Sequence, residues 1–352
     1  MPESPSAVPS TIEWDQPAQP GVWVIPPPRQ RWWLYALFFL LTLCSTTIVG
    51  ARMEFYFQHN QPVFSLSDDT LSLFPIGWIA QHPANLLMGL PFSLTLMFIL
   101  FAHEMGHYVY ARHYRVYATP PFFVPFPSLI GTLGAFIRIK SPIPSRAALF
   151  DIGIAGPIAG FIPACAALIV GLSLSYPIAH ASPSDLQLGF PLAFYLAASL
   201  LHIGVPLPSL SLHPIAAAAW VGFFATALNL LPGGQLDGGH IIFSITPRWH
   251  RWISLLTVFA LIPLGKHMWT GWFLWAVLLF LTARHPRVPR DPSVTGGRRA
   301  LALCAALMLV LSFTPAPFTH SSGVEVWPDI RDGSRQTLQD LRGGIRHLLH
   351  HQ

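Results

Sequence analysis

Seven stretches of the chain stay apolar for roughly the length that a bilayer demands. They fall at about 32–51, 91–112, 150–176, 213–232, 252–265, 269–283 and 299–315. A helix rises about 1.5 Å per residue, so some 20 mostly apolar residues cross a hydrocarbon core of about 30 Å. The fifth and sixth stretches are short, and Lys266 and His267 between them predict a tight helical hairpin. An eighth apolar stretch, 187–203, is interrupted by Pro191 and followed by Pro206, and reads as re-entrant or interfacial. Between the second and third stretches, GTLGAFIRI (131–139) is strand-like, with Gly131 and Gly134 permitting turns. The pattern predicts an all-α polytopic membrane protein with about seven transmembrane helices (six to eight). A small β-hairpin or strand-like loop is expected beside the functional residues.

Composition supports this. Of 352 residues, 52% are apolar and only 10% charged. A soluble domain carries about 25% charged residues, so lipid must cover much of this surface. Residues 1–28 are rich in Pro and Ser and are expected to be a disordered tail. Residues 29–315 would form the membrane-embedded domain, with its core at 90–245, and 316–352 a polar C-terminal tail. Glu3, Glu13 and Asp15 precede every basic residue, unlike an Arg-rich transit peptide. The first apolar run is too long for a typical signal sequence, so it is expected to stay as an anchor.

Charge adds an orientation. The net charge of +5 is dispersed, with no basic stripe carrying aromatics, so nucleic acid is not an expected partner. With seven crossings, Arg29, Arg31, Arg112, Arg115, Arg138, Lys140, Arg146, Arg248, Arg251, Arg284, Arg287 and Arg290 share one side, the cytoplasmic one by the positive-inside rule. The C-terminal tail would lie opposite. Cys44, Cys165 and Cys304 each lie alone in an apolar stretch and read as small apolar packers.

The chemistry is concentrated in two places. Residues 103–107 read His-Glu-Met-Gly-His. Residues four apart share a helix face, so two imidazoles can reach one tetrahedral zinc, with Glu104 beside the bound water as general base. Random order would give this pattern only about 0.01 times in a chain of this composition. The motif also closes an apolar run, where ionisable groups persist when they have partners or work. The other reading is a helix end whose polar residues reach the interface. A third ligand is sought by elimination. Glu325, the one later Glu, falls in the tail across the membrane. His113 stands where an extended HExxHxxGxxH motif has its third His, but Tyr110 replaces the glycine of the bend. Asp237 remains, in NLLPGGQLDGGH (229–240), where Pro232, Gly233 and Gly234 break a helix. Broken backbone at membrane depth is tolerated where it lines a cavity, and an Asp there completes a His₂Asp site. Asp151, opening the third run, reads as a helix N-cap.

HEMGH with NLLPGGQLDGG, and with residues 119–161 (TPPFFVPFPSLIGTLGAFIRIKSPIPSRAALFDIGIAGPIAGF), resembles the site-2 protease family of intramembrane zinc metalloproteases, peptidase family M50. The stretch 119–161 is similar to the bacterial and cyanobacterial branch. That branch is related to the chloroplast proteases named for ethylene-dependent gravitropism deficiency and yellow-green leaves. The resemblance covers about 90–245. It implies one Zn2+ on His103, His107 and Asp237, Glu104 as catalytic base, and Asn229 helping to position substrate or stabilise the oxyanion. It implies membrane-anchored protein substrates cut in or near a transmembrane helix. No loop is long enough for the PDZ domain common in the family. The expected residence is the bacterial cytoplasmic (inner) membrane, with the N-terminus cytoplasmic. A catalytically silent protein of the same fold, acting as a binding or chaperone module, is the alternative. A metal transporter would show paired repeats, and none is evident; a prenyl-protein type of protease would need a downstream Glu ligand, and Glu325 lies in the tail.

Overall fold

The computed structural model describes residues 31–64, 71–178, 188–286, 288–289, 294 and 296–318. The tail expected at 1–28 and most of that at 316–352 lie outside the described residues. The helices are α1 (Trp32–Gln58), α2 (Ile76–Gln81), α3 (Leu90–His113), α4 (Arg146–Ser173), α5 (Leu192–Leu200), α6 (Pro214–Asn229), α7 (Asp237–Ile245), α8 (His250–His267), α9 (Gly271–Leu281) and α10 (Gly297–Ser312). Two small antiparallel sheets pair β1 (Phe122–Pro125) with β2 (Thr132–Phe136), and β3 (Tyr176–Pro177) with β4 (Leu210–Ser211).

Each of the seven apolar runs becomes a helix: α1, α3, α4, α6, α8, α9 and α10. Among the described residues, three helical stretches are long and apolar enough to cross a membrane: Trp32–Gln58, Pro83–His113 and Arg146–Ser173. The run at 187–203 yields only α5, nine residues. At about 1.5 Å per residue that falls well short of a crossing. The hairpin expected at 131–139 is β2, folded back on β1.

One boundary differs from expectation. Helix α4 starts at Arg146, and its N-cap is Ser145, whose Oγ accepts from the Ala148 amide at 3.1 Å. Asp151 is therefore not the cap. It lies inside α4, accepts two hydrogen bonds from Arg298 of α10 at 2.7 and 2.8 Å, and also bonds the Tyr114 hydroxyl. Its charge ties three helix ends together rather than satisfying one. The cysteines are unpaired, but Cys44 and Cys304 are exposed rather than packed.

Helices α3, α4 and α6 pack on one another at the centre. In lipid the close approach of backbones, not expulsion of water, drives this packing, so small residues line it. Ala216, Ala217, Ala218 and Ala219 of α6 are fully buried. A Cβ on Gly171 of α4 would come within 2.2 Å of the Ala216 amide nitrogen, and one on Gly106 of α3 within 2.4 Å of the Ala155 carbonyl. The outward face of α3 instead carries Leu94, Phe98 and Phe101. Helix α1 joins α3 through Thr46 and Ser93, whose hydroxyls lie 2.6 Å apart. It holds the hairpin as well. Ser45 Oγ donates to the Gly131 carbonyl at 2.6 Å, while Phe38 and Phe39 pack on Phe122 and Phe123. Gly131 is needed there: its φ is +77°, and a Cβ would lie 2.8 Å from the Ser45 carbonyl.

Gly171→Leu should force α4 and α6 apart, since the atoms it meets are backbone. Overpacking of this kind costs about 1–3 kcal/mol. Thermal unfolding in detergent should show a lowered midpoint. Gly204→Ala meets nothing within 4 Å and should leave the midpoint unchanged; equal stability of both variants would contradict the packing described.

Candidate metal centre

His103, Glu104 and His107 lie near the end of α3 and are 6%, 7% and 7% exposed. The four-residue spacing puts both imidazoles on the face that meets α4. His107 Nδ1 is 2.7 Å from the Ile152 carbonyl. A carbonyl only accepts, so Nδ1 donates, and the neutral ring presents a lone pair at Nε2. That atom lies 3.1 Å from His103 Nε2. Asp237 Oδ2 lies 3.3 Å from His103 Nε2 and 3.2 Å from His107 Nε2.

The amide nitrogen Nδ2 of Asn229, a donor, faces His103 Nε2, which therefore also accepts, so three electron-rich atoms face one another in a buried space. Asp237 Oδ2 is buried with no hydrogen-bond partner. Without a cation this arrangement is repulsive and leaves a carboxylate oxygen orphaned, which low dielectric makes costly. Tetrahedral zinc with ligand bonds of about 2.0–2.1 Å spaces its ligand atoms roughly 3.3 Å apart. The observed spacings of 3.1, 3.2 and 3.3 Å match that demand. The donor set, two imidazoles and a carboxylate, is one that zinc accepts with a position left for water.

Glycines of α4 make the room. A Cβ on Gly156 would lie 2.0 Å from His107 Nε2, one on Gly160 2.9 Å from His103 Cβ, and one on Gly153 3.1 Å from His240 Cβ. What they accommodate is three histidine side chains, one per turn.

Asp237 is delivered by a broken helix, as expected. α6 stops at Asn229 and α7 starts at Asp237. Gly234 has φ +61°, and Cβ atoms on Gly238 and Gly239 would lie 2.2 Å from the Leu230 carbonyl and 2.4 Å from the Gly234 carbonyl. Leu236, not Asp237, stands at the N-cap of α7, and no side chain caps it. The carboxylate is thereby free to face the histidines.

The connection is clamped from α8. Thr257 Oγ1 donates to the Pro232 carbonyl at 3.0 Å, and the Gly234 amide donates to Ser254 Oγ at 3.1 Å. His250 Nε2 donates to the Gly234 carbonyl at 3.0 Å. These three residues carry no motif, and sequence reasoning passed over them. The weak signal was their spacing: 250, 254 and 257 share one face of an apolar helix.

Asn229 ends α6 with Nδ2 3.4 Å from His103 Nε2. Glu104 shares a cavity lining with Ile137, just past β2. Both line a cavity of about 240 Å³ with the three donors, Ala135 to Ile137, and His240. His113 sits exposed at the end of α3 between Tyr110 and Tyr114, outside this group. Glu325 lies outside the described residues.

Comparison with known proteins agrees with this geometry. The model of peptidase family M50 matches residues 91–262. The probable zinc metalloprotease EGY1, chloroplastic, of Oryza sativa subsp. japonica is 30% identical over 302 residues, covering 80% of this chain and 51% of that protein. The protein of the same name in Arabidopsis thaliana is 32% identical over 236 residues, 64% of this chain and 43% of its own length. The Arabidopsis probable zinc metalloprotease EGY2, chloroplastic, is 31% identical over 276 residues, 75% and 47% respectively. The chain spans about half the length of the curated relatives it matches. Their names correct the expectation of a bacterial cytoplasmic membrane with a cytoplasmic N-terminus, since these relatives are chloroplastic. Hydropathy and charge report that a membrane is crossed, not which one. Motif, geometry and relatives converge: residues 91–262 of the chain belong to peptidase family M50, the site-2 protease family.

Proposed function

We propose that this chain is an intramembrane zinc metalloprotease that hydrolyses peptide bonds in or near transmembrane segments of membrane-anchored proteins. The observation that carries this reading is the convergence of His103 Nε2, His107 Nε2 and Asp237 Oδ2 within 3.3 Å of one another, beside Glu104. These three would hold one Zn2+. The relatives' names support a chloroplast membrane as the compartment.

When bound, the metal lowers the pKa of a water toward about 7 and polarises the scissile carbonyl. Glu104 takes the proton of the attacking water and hands it to the leaving amine. Asn229 directs its Nδ2–H at the oxygen on which charge develops. A helical substrate hides its peptide bonds in its own hydrogen bonds and must unwind first. β2 pairs on one edge only, with β1, and supplies an edge to which an unwound segment can add. With Glu104 in place beside the donors, a catalytically silent module is not favoured.

We read the seven apolar helices as seven crossings. Residues 29–315 form the membrane domain and 90–245 its catalytic core. The end of α3, the start of α4 and the start of α10 share one end of the bundle, supported by the Asp151–Arg298 pair. Arg112, Arg146 and Arg298 gather there.

Glu104→Gln should retain zinc and lose cleavage of a membrane-anchored reporter by about 10²–10⁴-fold; cleavage by that variant equal to the wild type would refute the catalytic assignment. Asp237→Ala should fall well below one zinc per chain by metal analysis, with cleavage lost in parallel. Undiminished metal and activity would remove Asp237 from the ligand set. Gly156→Ala should leave the chain folded but displace the His107 ring, lowering zinc content; full occupancy would show that α4 does not confine that ring.

A further inference from the structure

His240 stands one turn beyond Asp237 and is absent from the mechanism above. Its ring lines the same cavity, yet it does not join the group of three metal donors. Its Nδ1 lies 2.8 Å from His285 Nε2. His285 Nδ1 in turn lies 2.7 Å from the Pro286 carbonyl. That carbonyl can only accept, so the proton of neutral His285 is on Nδ1, and its Nε2 must accept. Burial favours neutral His285, holding its pKa below the ordinary value, with the Pro286 hydrogen bond opposing. The direction of the chain then follows. His240 Nδ1 donates to His285, and His240 Nε2 is left with a lone pair.

The relay is held in place. His285 stacks on Phe243 with ring centroids 4.0 Å apart and 17° between planes, and its edge meets His250. The His240 Cβ sits over Gly153. His240 Nε2 makes no hydrogen bond among the described residues, and it is not among the buried orphaned atoms, so it is open to the cavity.

We propose that His240 Nε2, kept in its acceptor form by His285, receives a backbone N–H of the unwound substrate and so positions it in the cleft. Peptide unwound beside zinc exposes both carbonyls and amides. Asn229 answers a carbonyl. An amide needs an acceptor, and Glu104 and Asp237 are otherwise engaged in the reading given above, on which this inference rests.

The test uses full-length zinc-loaded protein and a single-span peptide substrate, compared with a series in which one amide at a time near the cleavage site is replaced by an ester. His240→Leu should keep one zinc per chain and raise KM about tenfold with a smaller change in kcat. His240→Gln, whose Oε1 reaches nearly where Nε2 stood, should recover most of the loss. His285→Leu should give a partial loss that His285→Gln repairs. For one ester substrate, wild type and His240→Leu should have the same KM, because the N–H is already gone. Zinc loss in His240→Leu, or a KM penalty that persists undiminished on every ester substrate, would overturn the proposal. Absence of Glu104-dependent cleavage in the wild type would instead sink the protease reading, and this inference with it. Wild-type cleavage with an unaffected His240→Leu would sink this inference alone.

Discussion

Three lone pairs pointed at one another govern this structure. His103, His107 and Asp237 present their acceptor atoms inward, in a buried space, with no proton available between His107 and Asp237 to relieve them. Such an arrangement is unfavourable by itself and becomes favourable around a divalent cation. The protein therefore has to hold it by force from outside. Every clamp described above acts on the far side of a ligand. Ile152 holds the back of one imidazole, glycines of α4 confine both, and α8 fixes the connection that ends at Asp237. Metal binding in such a site releases strain between like groups rather than merely adding contacts.

The clamps also explain why the helix between Asn229 and Asp237 is broken. A continuous helix would advance eight residues in about 12 Å and carry one of the two side chains away from the cavity. The break folds the chain back, so both line one cavity. Breaking a helix in an apolar setting frees backbone groups that must be answered. Thr257, Ser254 and His250 answer the Pro232 carbonyl, the Gly234 amide and the Gly234 carbonyl. Polar residues in α8 are thus the counterpart of the break, and they account for a helix that is less apolar than its length would suggest.

Much of this was legible in the sequence, for identifiable reasons. His103, His107 and Asp237 could be named because zinc chemistry restricts residue type and spacing, and the seven apolar runs because lipid restricts composition. The faces of the helices were not legible. In a helix apolar all round, composition does not separate core from lipid: on α3 Phe92, Leu96 and Ile99 are buried, while Leu94 and Phe98 face outward. Asp151 was misread as a cap because its partner, Arg298, lies 147 residues away. His250, Ser254 and Thr257 escaped notice because their bonds go to backbone, which leaves no trace in residue type. The membrane of residence was misjudged because no physical property used in the reading distinguishes one lipid compartment from another.

The position of the hairpin is the remaining constraint, and under the proposed function it follows from an unwound helical substrate. β1 and β2 run beside α1 from Phe38 to Ser45, about 10 Å along its axis, with the Gly131 loop reaching the middle of that helix. Strands exposed to lipid at that depth would leave unpaired backbone groups at several kcal/mol each. The pair is tolerable because α1 covers one side and the cavity wets the other. A substrate helix faces the same difficulty on unwinding, since each residue drawn out of its helix loses internal partners. The cheapest place to unwind is where replacement partners already stand at membrane depth. The strand edge, the Asn229 amide and the open nitrogen of His240 all face the cavity that holds the metal donors. Under the proposed function, cleavage would therefore be confined to a place, among the described residues, where an extended peptide is less costly than it is in lipid.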